Sequence, residues 1–228
     1  MPQMQLPERV LCLVTALDPG DDPARLLSSI SAAVRGGVNM IQVQAPDLER
    51  TDFFNLAAEV VEIIGEDALV VINDRVDVAL AVDAGGVQLG EHGPAVKAAR
   101  RVGGDDWLIG RSVHSLGGAK KAEIDLADYL LLGTLYETAS HLDQSGVAID
   151  LLNEVVASVQ LPIIGIGSIN PERASAVVSA GARGVAVIDA ILGSDDPERA
   201  AANLRIAIEK VGSDHVPPIS DGNQRMTS

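Results

Sequence analysis

Aromatic side chains are almost missing from this 228-residue chain, which has two Phe, two Tyr and one Trp. Its core must therefore be aliphatic, built from the Val, Ile, Leu and Ala that carry most of a 47% apolar content. Cations are scarce too: 17 Lys and Arg stand against 32 Asp and Glu, a formal charge of −15. Sequence-independent nucleic-acid binding needs clustered Lys and Arg on phosphates, and anionic membrane surfaces attract the same residues. The charge speaks against both partners. A single cysteine, Cys12, excludes an intrachain disulfide, and no Cys/His spacing matches a zinc site. Long hydrophobic runs are missing as well. The first apolar run, Val10 to Leu17, is too short to span a bilayer and lacks the flank and cleavage site of a signal peptide. A cytoplasmic protein is the expectation, and a chain this long buries roughly 70% of its unfolded surface.

Short Val- and Ile-rich runs alternate with longer amphipathic stretches. The runs predict strands at Leu11–Thr15, Met40–Gln44, Leu69–Ile72, Gly86–Leu89, Leu108–Arg111, Tyr129–Leu132, Ile163–Ile166 and Gly184–Ile188. Several are apolar on consecutive residues, as in a parallel sheet covered on both faces. Helices are predicted at Asp22–Arg35, Asp52–Ile64, Val76–Val82, Pro94–Arg101, Leu116–Asp125, Asp150–Val159, Pro171–Ala180 and Asp196–Lys210. Pro171 and Pro197 follow Asn170 and Asp196, a proline-after-cap pattern of helix starts. Eight such units with no Gly-x-Gly-x-x-Gly after the first strand favour a single (β/α)8 TIM barrel, of class α/β, over a doubly wound sheet. One domain over 1–211 is expected, followed by a polar tail, 212–228, expected to be disordered.

In such a barrel, chemistry sits at the carboxyl ends of the strands. After strand seven come Gly167 and Ser168, and after strand eight Ile188 and Asp189, each leading into a helix. Glycine lets backbone approach an anion and helix-start N–H groups point at it, so these four are candidate phosphate ligands. The carboxylate of Asp189 opposes that reading and suits a helix cap. After strand three, Asn73 and Asp74 are candidate ligands, with Asp74 able to hold magnesium or cap a helix. Gln42 and Gln44 share one face through the period of two. Continued strand geometry would turn Ser112 and His114 together into the mouth, where an imidazole suits acid–base work. No Asp lies next to His114 to make a triad. The loop Ala139–Gly146, with His141, is long enough for a lid.

These segments together resemble the thiamin-phosphate synthase/TenI superfamily over roughly Leu11 to Ala201. The likeness rests on Leu13-Val14-Thr15, Gly36-Gly37-Val38 through Gln42, Ile72 through Leu80, Gly86-Val87-Gln88-Leu89-Gly90, Gly110 through His114, Ala127-Asp128-Tyr129, Ile164-Gly165-Ile166-Gly167 and Gly184-Val185-Ala186-Val187. It implies a (β/α)8 barrel, a homodimer, and work on a small phosphorylated thiazole in thiamin biosynthesis.

Two branches of the superfamily then compete. The synthase branch, which joins hydroxymethylpyrimidine diphosphate to thiazole phosphate with Mg2+, shows Gln-x-Arg-x-Lys on the second strand. Here the segment reads Gln42-Val43-Gln44-Ala45-Pro46. That branch carries an acid after strand four, where this chain reads Glu91-His92-Gly93, and a Lys where His141 falls. A charge-assisted contact is worth roughly 1.5–3 kcal/mol, so three missing cations weigh against a diphosphate. Gly110-Arg111-Ser112-Val113-His114, Val87-Gln88-Leu89 and Tyr136-Glu137-Thr138 resemble the TenI branch instead. The expectation is a thiazole-phosphate tautomerase, an isomerase needing no cofactor or metal, with His114 as proton shuttle. Gln42, Gln44, Asn73, Asp74, Gln88, Ser112, Glu137 and Thr138 would bind substrate, and Gly167, Ser168, Ile188 and Asp189 its phosphate. The alternatives are the synthase, with Mg2+ on Asp74, and a non-catalytic barrel binding a phosphorylated ligand.

Overall fold

A computed structural model describes residues 5–136 and 145–213. Eight strands run β1 (Val10–Val14), β2 (Met40–Val43), β3 (Leu69–Asn73), β4 (Gly86–Leu89), β5 (Leu108–Val113), β6 (Tyr129–Leu132), β7 (Ile163–Ile166) and β8 (Gly184–Val187). Between and after them lie α1 (Pro23–Arg35), α2 (Arg50–Ile64), α3 (Val76–Ala81), α4 (Val96–Gly103), α5 (Leu116–Ile124), α6 (Ser145–Ser158), α7 (Pro171–Ser179), α8 (Asp189–Leu192) and α9 (Pro197–Ser213). Every strand is parallel to its neighbours, and β8 closes onto β1, with Cys12 opposite Ala186. The fold is the closed (β/α)8 barrel that the alternation predicts.

Strand periodicity divides the core in two. One set, including Leu11, Leu13, Ile41, Ile72, Val87, Ile109 and Leu130, faces the surrounding helices. The alternate set, including Val10, Cys12, Val14, Met40, Val71, Leu108, Tyr129, Leu131, Ile164 and Ala186, fills the barrel. The filling is aliphatic for the most part, but Tyr129, one of the chain's few rings, lies fully buried within it, against the expectation of a wholly aliphatic core. At Gly184 a Cβ would lie 1.9 Å from the Val10 carbonyl oxygen, so only glycine lets β8 approach β1.

Two differences from the predicted elements bear on the mouth. Strand β5 continues to Val113, two residues past its expected end. Helix α6 starts at Ser145, five residues early, so Ser145 and Gly146 of the expected lid are helical, while 137–144 lie outside the described residues. Asn170 caps α7 through the Arg173 N–H as expected. Among the described residues no helix is long and apolar enough to cross a membrane. The tail from residue 214 onward also lies outside them.

Candidate active site

Above the aliphatic filling, the inward positions of the strands turn polar. Gln42 is buried at the end of β2, and its Nε2 donates to Asn73 Oδ1 at 3.0 Å and to Gln44 Oε1 at 3.2 Å. Asn73 Nδ2 donates onward to Asp74 Oδ2 at 3.2 Å, and the Gly90 N–H donates to Asp74 Oδ1 at 2.7 Å. An ionised carboxylate only accepts, so Asp74 orients the whole chain of amides. Asn73 must turn its NH2 toward Asp74 and its oxygen toward Gln42. Gln42 then spends its NH2 on protein and keeps its carbonyl for a ligand, while Gln44 keeps its NH2. The Gln44 backbone is pinned on both sides by Thr15, whose hydroxyl accepts from its N–H and donates to its carbonyl.

Asp74 holds a left-handed backbone, with φ 53°, which Asp tolerates better than most residues. The loop after β4 lies directly on its carboxylate. A Cβ at Gly93 would come within 2.2 Å of Asp74 Oδ1, so that loop needs glycine there. Asp74 does not cap α3: Arg75 occupies the cap position and makes no side-chain cap bond.

On the adjoining strand ends, β4 and β5, His114 Nδ1 lies 2.8 Å from Glu91 Oε2. Arg111 fixes the Glu91 backbone by donating to its carbonyl at 2.8 Å, and to that of Pro94 at 2.7 Å. Gln88, fully buried, donates from Nε2 to Ser112 Oγ at 3.0 Å. That bond occupies a lone pair of the serine and leaves its proton for the mouth. Beneath, Gly110 makes room for Tyr129: a Cβ there would lie 2.2 Å from both Tyr129 Cζ and Gln88 Oε1.

A cavity of about 670 Å³ gathers Gln42, Gln44, Asn73, Asp74, Ser112 and His114 from three strand ends, as the sequence predicts. A second, of about 510 Å³, is lined by Gly167, Ser168, Ile188 and Asp189. The two adjoin, since Thr134, Ile166, Gly167 and Ile188 line both. Ser168 is left-handed, with φ 44°, and Arg173 NH1 donates to its carbonyl at 2.7 Å while stacking 4.7 Å from the Tyr136 ring centroid. Asp189 makes no side-chain cap bond, and its carboxylate is exposed, where water and salt weaken its repulsion of an anion.

Gln88 departs from its predicted place, because it supports Ser112 from below and does not line the cavity. Glu137, Thr138 and His141 lie outside the described residues. Sequence reasoning missed Arg75, Thr134 and Glu91 as lining residues. It sought a carboxylate beside His114 along the chain, whereas the partner comes from the neighbouring strand end.

Among the described residues no three His, Cys, Asp or Glu cluster into a protein-only metal cage. Magnesium is commonly held by one or two carboxylates completed by water and substrate phosphates. Asp74 and Glu91 line one mouth and fit that pattern, and Asp74 is already oriented by the Gly90 N–H and the Asn73 amide.

A family model described as thiamine monophosphate synthase matches residues 11–191. The thiamine-phosphate synthase of Methanobrevibacter smithii is 36% identical over 195 residues, 85% of this chain and 93% of that protein. That of Natronomonas pharaonis is 40% identical over 187 residues, 80% and 87% respectively. Among solved structures, thiamine phosphate pyrophosphorylase from Pyrococcus furiosus superposes with a TM-score of 0.78 at 33% identity, covering 90% of this chain and 97% of that one. These relatives overturn the expected tautomerase and its class, isomerase: they carry the synthase name over nearly the whole chain. There is also a physical reason. Within the segments that suggested the TenI branch, Gly110 and Gln88 are accounted for by packing. Gly110 admits the Tyr129 ring, and Gln88 supports Ser112.

Proposed function

The chain belongs to the thiamine monophosphate synthase family, and from that membership we propose that it is a transferase joining hydroxymethylpyrimidine diphosphate to thiazole phosphate with release of pyrophosphate. One observation carries the reading to this site: two adjoining cavities, one walled by amides and carboxylates, the other at paired strand-to-helix turns. Two substrates need two subsites that share a border.

The reaction breaks the bond between the pyrimidine methylene and its diphosphate, and the electron pair leaves with pyrophosphate. The thiazole nitrogen lone pair forms the new C–N bond. No proton has to move at the reacting atoms, so His114 need not act as a base. The Gln42 carbonyl and Gln44 NH2 are left to recognise the flat pyrimidine edge. Ser112 offers its proton from the floor. Backbone N–H groups at Gly167, Ser168, Ile188 and Asp189 suit the thiazole phosphate. Asp74 and Glu91 would hold Mg2+ together with the diphosphate, and the ion would neutralise charge on the departing pyrophosphate. Holding both reactants in contact supplies much of the acceleration.

The test mixes both substrates with protein and Mg2+ and measures thiamin phosphate and pyrophosphate in equal amounts. Absence of pyrophosphate at millimolar substrates overturns the reading.

A further inference from the structure

In a chain of charge −15, a mouth that takes a diphosphate still needs cations of its own. The described residues lining the larger cavity include two carboxylates, Asp74 and Glu91, the imidazole of His114, and one permanently charged cation, Arg75. The stretch 137–144 adds no Lys or Arg. Arg75 is held by Asp77, two residues on: Nε donates to Oδ1 at 2.8 Å and NH2 to Oδ2 at 2.7 Å. That pairing uses one edge of the guanidinium fork. A guanidinium has five N–H donors, so the NH1 edge and one NH2 proton stay outside the pair. The Arg75 side chain is 36% exposed and Asp77 69%, so the carboxylate that pins the fork stands in solvent while the fork borders the mouth. Phe53, another lining residue, lies under the guanidinium with its ring centroid 6.0 Å from Cζ, which further limits the fork's freedom. A planar fork restrained on one edge and unspent on the other is suited to bidentate capture of a phosphate.

We infer that Arg75 is the diphosphate-binding cation of this mouth, taking the phosphate remote from the reacting carbon, with Asp77 as its positioning residue. The inference rests on the synthase reading, because only that reading brings a diphosphate to the larger cavity. Arg75 holds the same group before and after bond cleavage. Its loss should therefore raise the KM for the diphosphate substrate and weaken binding of the pyrophosphate product, with little change in kcat.

Inorganic pyrophosphate with Mg2+ is the probe, titrated calorimetrically into wild type, Arg75→Gln, Arg75→Lys and the surface control Arg101→Gln. Thiazole phosphate is titrated into each in parallel. Arg75→Gln should raise the pyrophosphate Kd about tenfold or more, in line with a lost charge-assisted pair. The thiazole phosphate Kd should stay within about twofold. Arg75→Lys should recover part of the loss, and Arg101→Gln should match wild type. A pyrophosphate Kd unchanged in Arg75→Gln overturns the assignment, as does wild type that binds no pyrophosphate. Equal weakening of both ligands also overturns it, since that marks a structural role. Pyrophosphate bound through Arg75 without any thiamin phosphate formed would overturn the synthase reading and leave Arg75 as an anion ligand. Thiamin phosphate formed with unaltered pyrophosphate binding in Arg75→Gln would overturn Arg75 alone.

Discussion

His114 Nδ1 and Glu91 Oε2 meet 2.8 Å apart across the ends of β5 and β4, both at the rim of the larger cavity. The side chains are 56% and 35% exposed, so the pair is water-screened and contributes little to stability. Its importance lies in where it holds the second carboxylate of the mouth. Glu91→Gln keeps an oxygen for His114 and removes the charge. The Mg2+ concentration for half-maximal pyrophosphate release should then rise about tenfold, as for about 1.4 kcal/mol of lost ion binding. His114→Gln should change kcat by less than about threefold, since the proposed chemistry moves no proton. A hundredfold loss in His114→Gln would return proton transfer to the centre of the mechanism.

Asp74 makes a second prediction because it faces two donors at once, the Gly90 N–H and the Asn73 NH2. Asn at this position tolerates the left-handed backbone. It nevertheless has one accepting oxygen where two are needed, so a donor faces a donor. Asp74→Asn should cost about 1–3 kcal/mol, which for a domain of this size lowers Tm by about 2–4 °C per kcal/mol. The amides of Asn73, Gln42 and Gln44 would lose their fixed order as well. Activity should fall by about a hundredfold, beyond what the Tm shift explains at the assay temperature. A variant with wild-type turnover would show that Asp74 orders nothing the reaction uses.

The barrel was legible because its signals are local. Eight apolar runs, each followed by an amphipathic stretch, give parallel strands their cover, and the period of two correctly put Gln42 beside Gln44 and Ser112 beside His114. Pairings between strand ends were not legible. Glu91 reaches His114 only because β4 and β5 are neighbours in register, and Gly90 reaches Asp74 only because β3 lies beside β4. Gln88 was expected to be a ligand from the resemblance of Val87-Gln88-Leu89 to the TenI branch, but lower on the strand its partner is Ser112. The branch assignment failed for a related reason. A few mouth positions with missing cations were weighed above the bulk of the chain, and Arg75 was read only as part of a motif, not as a lining cation.

Gly110 tests the packing below the site. A Cβ there would overlap Tyr129 Cζ and Gln88 Oε1 at 2.2 Å, and both neighbours are fully buried within a closed barrel. Gly110→Ala should destabilise by at least about 2 kcal/mol in urea unfolding, the range of overpacked cores, and should also displace Ser112. Tyr129→Phe makes the opposite case. Its hydroxyl is buried with no hydrogen-bond partner, so removing it should leave stability unchanged or raise it by about 1 kcal/mol. A large loss in Tyr129→Phe would mean that the hydroxyl has a partner in solution.

Cys12 points into the barrel filling beside Tyr129, and burial pushes its thiol up from 9.0 to about 12. At pH 8 that leaves a thiolate fraction on the order of 10⁻⁴, and the ring of neighbours bars access. Native protein should stay unlabelled by a disulfide reagent at pH 8 for hours, while urea-unfolded protein reacts at once. The same shift carries a sign for stability. The folded state keeps a proton that the unfolded chain has lost, so the stabilisation is complete below about pH 9 and declines as pH rises toward 12. The slope from this one group is about −1.4 kcal/mol per pH unit. Tyr129, also raised by burial, adds to the decline once the unfolded chain's tyrosine ionises. Urea unfolding between pH 8 and 10.5 should show the fall, and Cys12→Ala should flatten it at a cost in stability from the lost packing. Rapid native labelling, or a slope unchanged in Cys12→Ala, would place the thiol in contact with water and out of the barrel's interior.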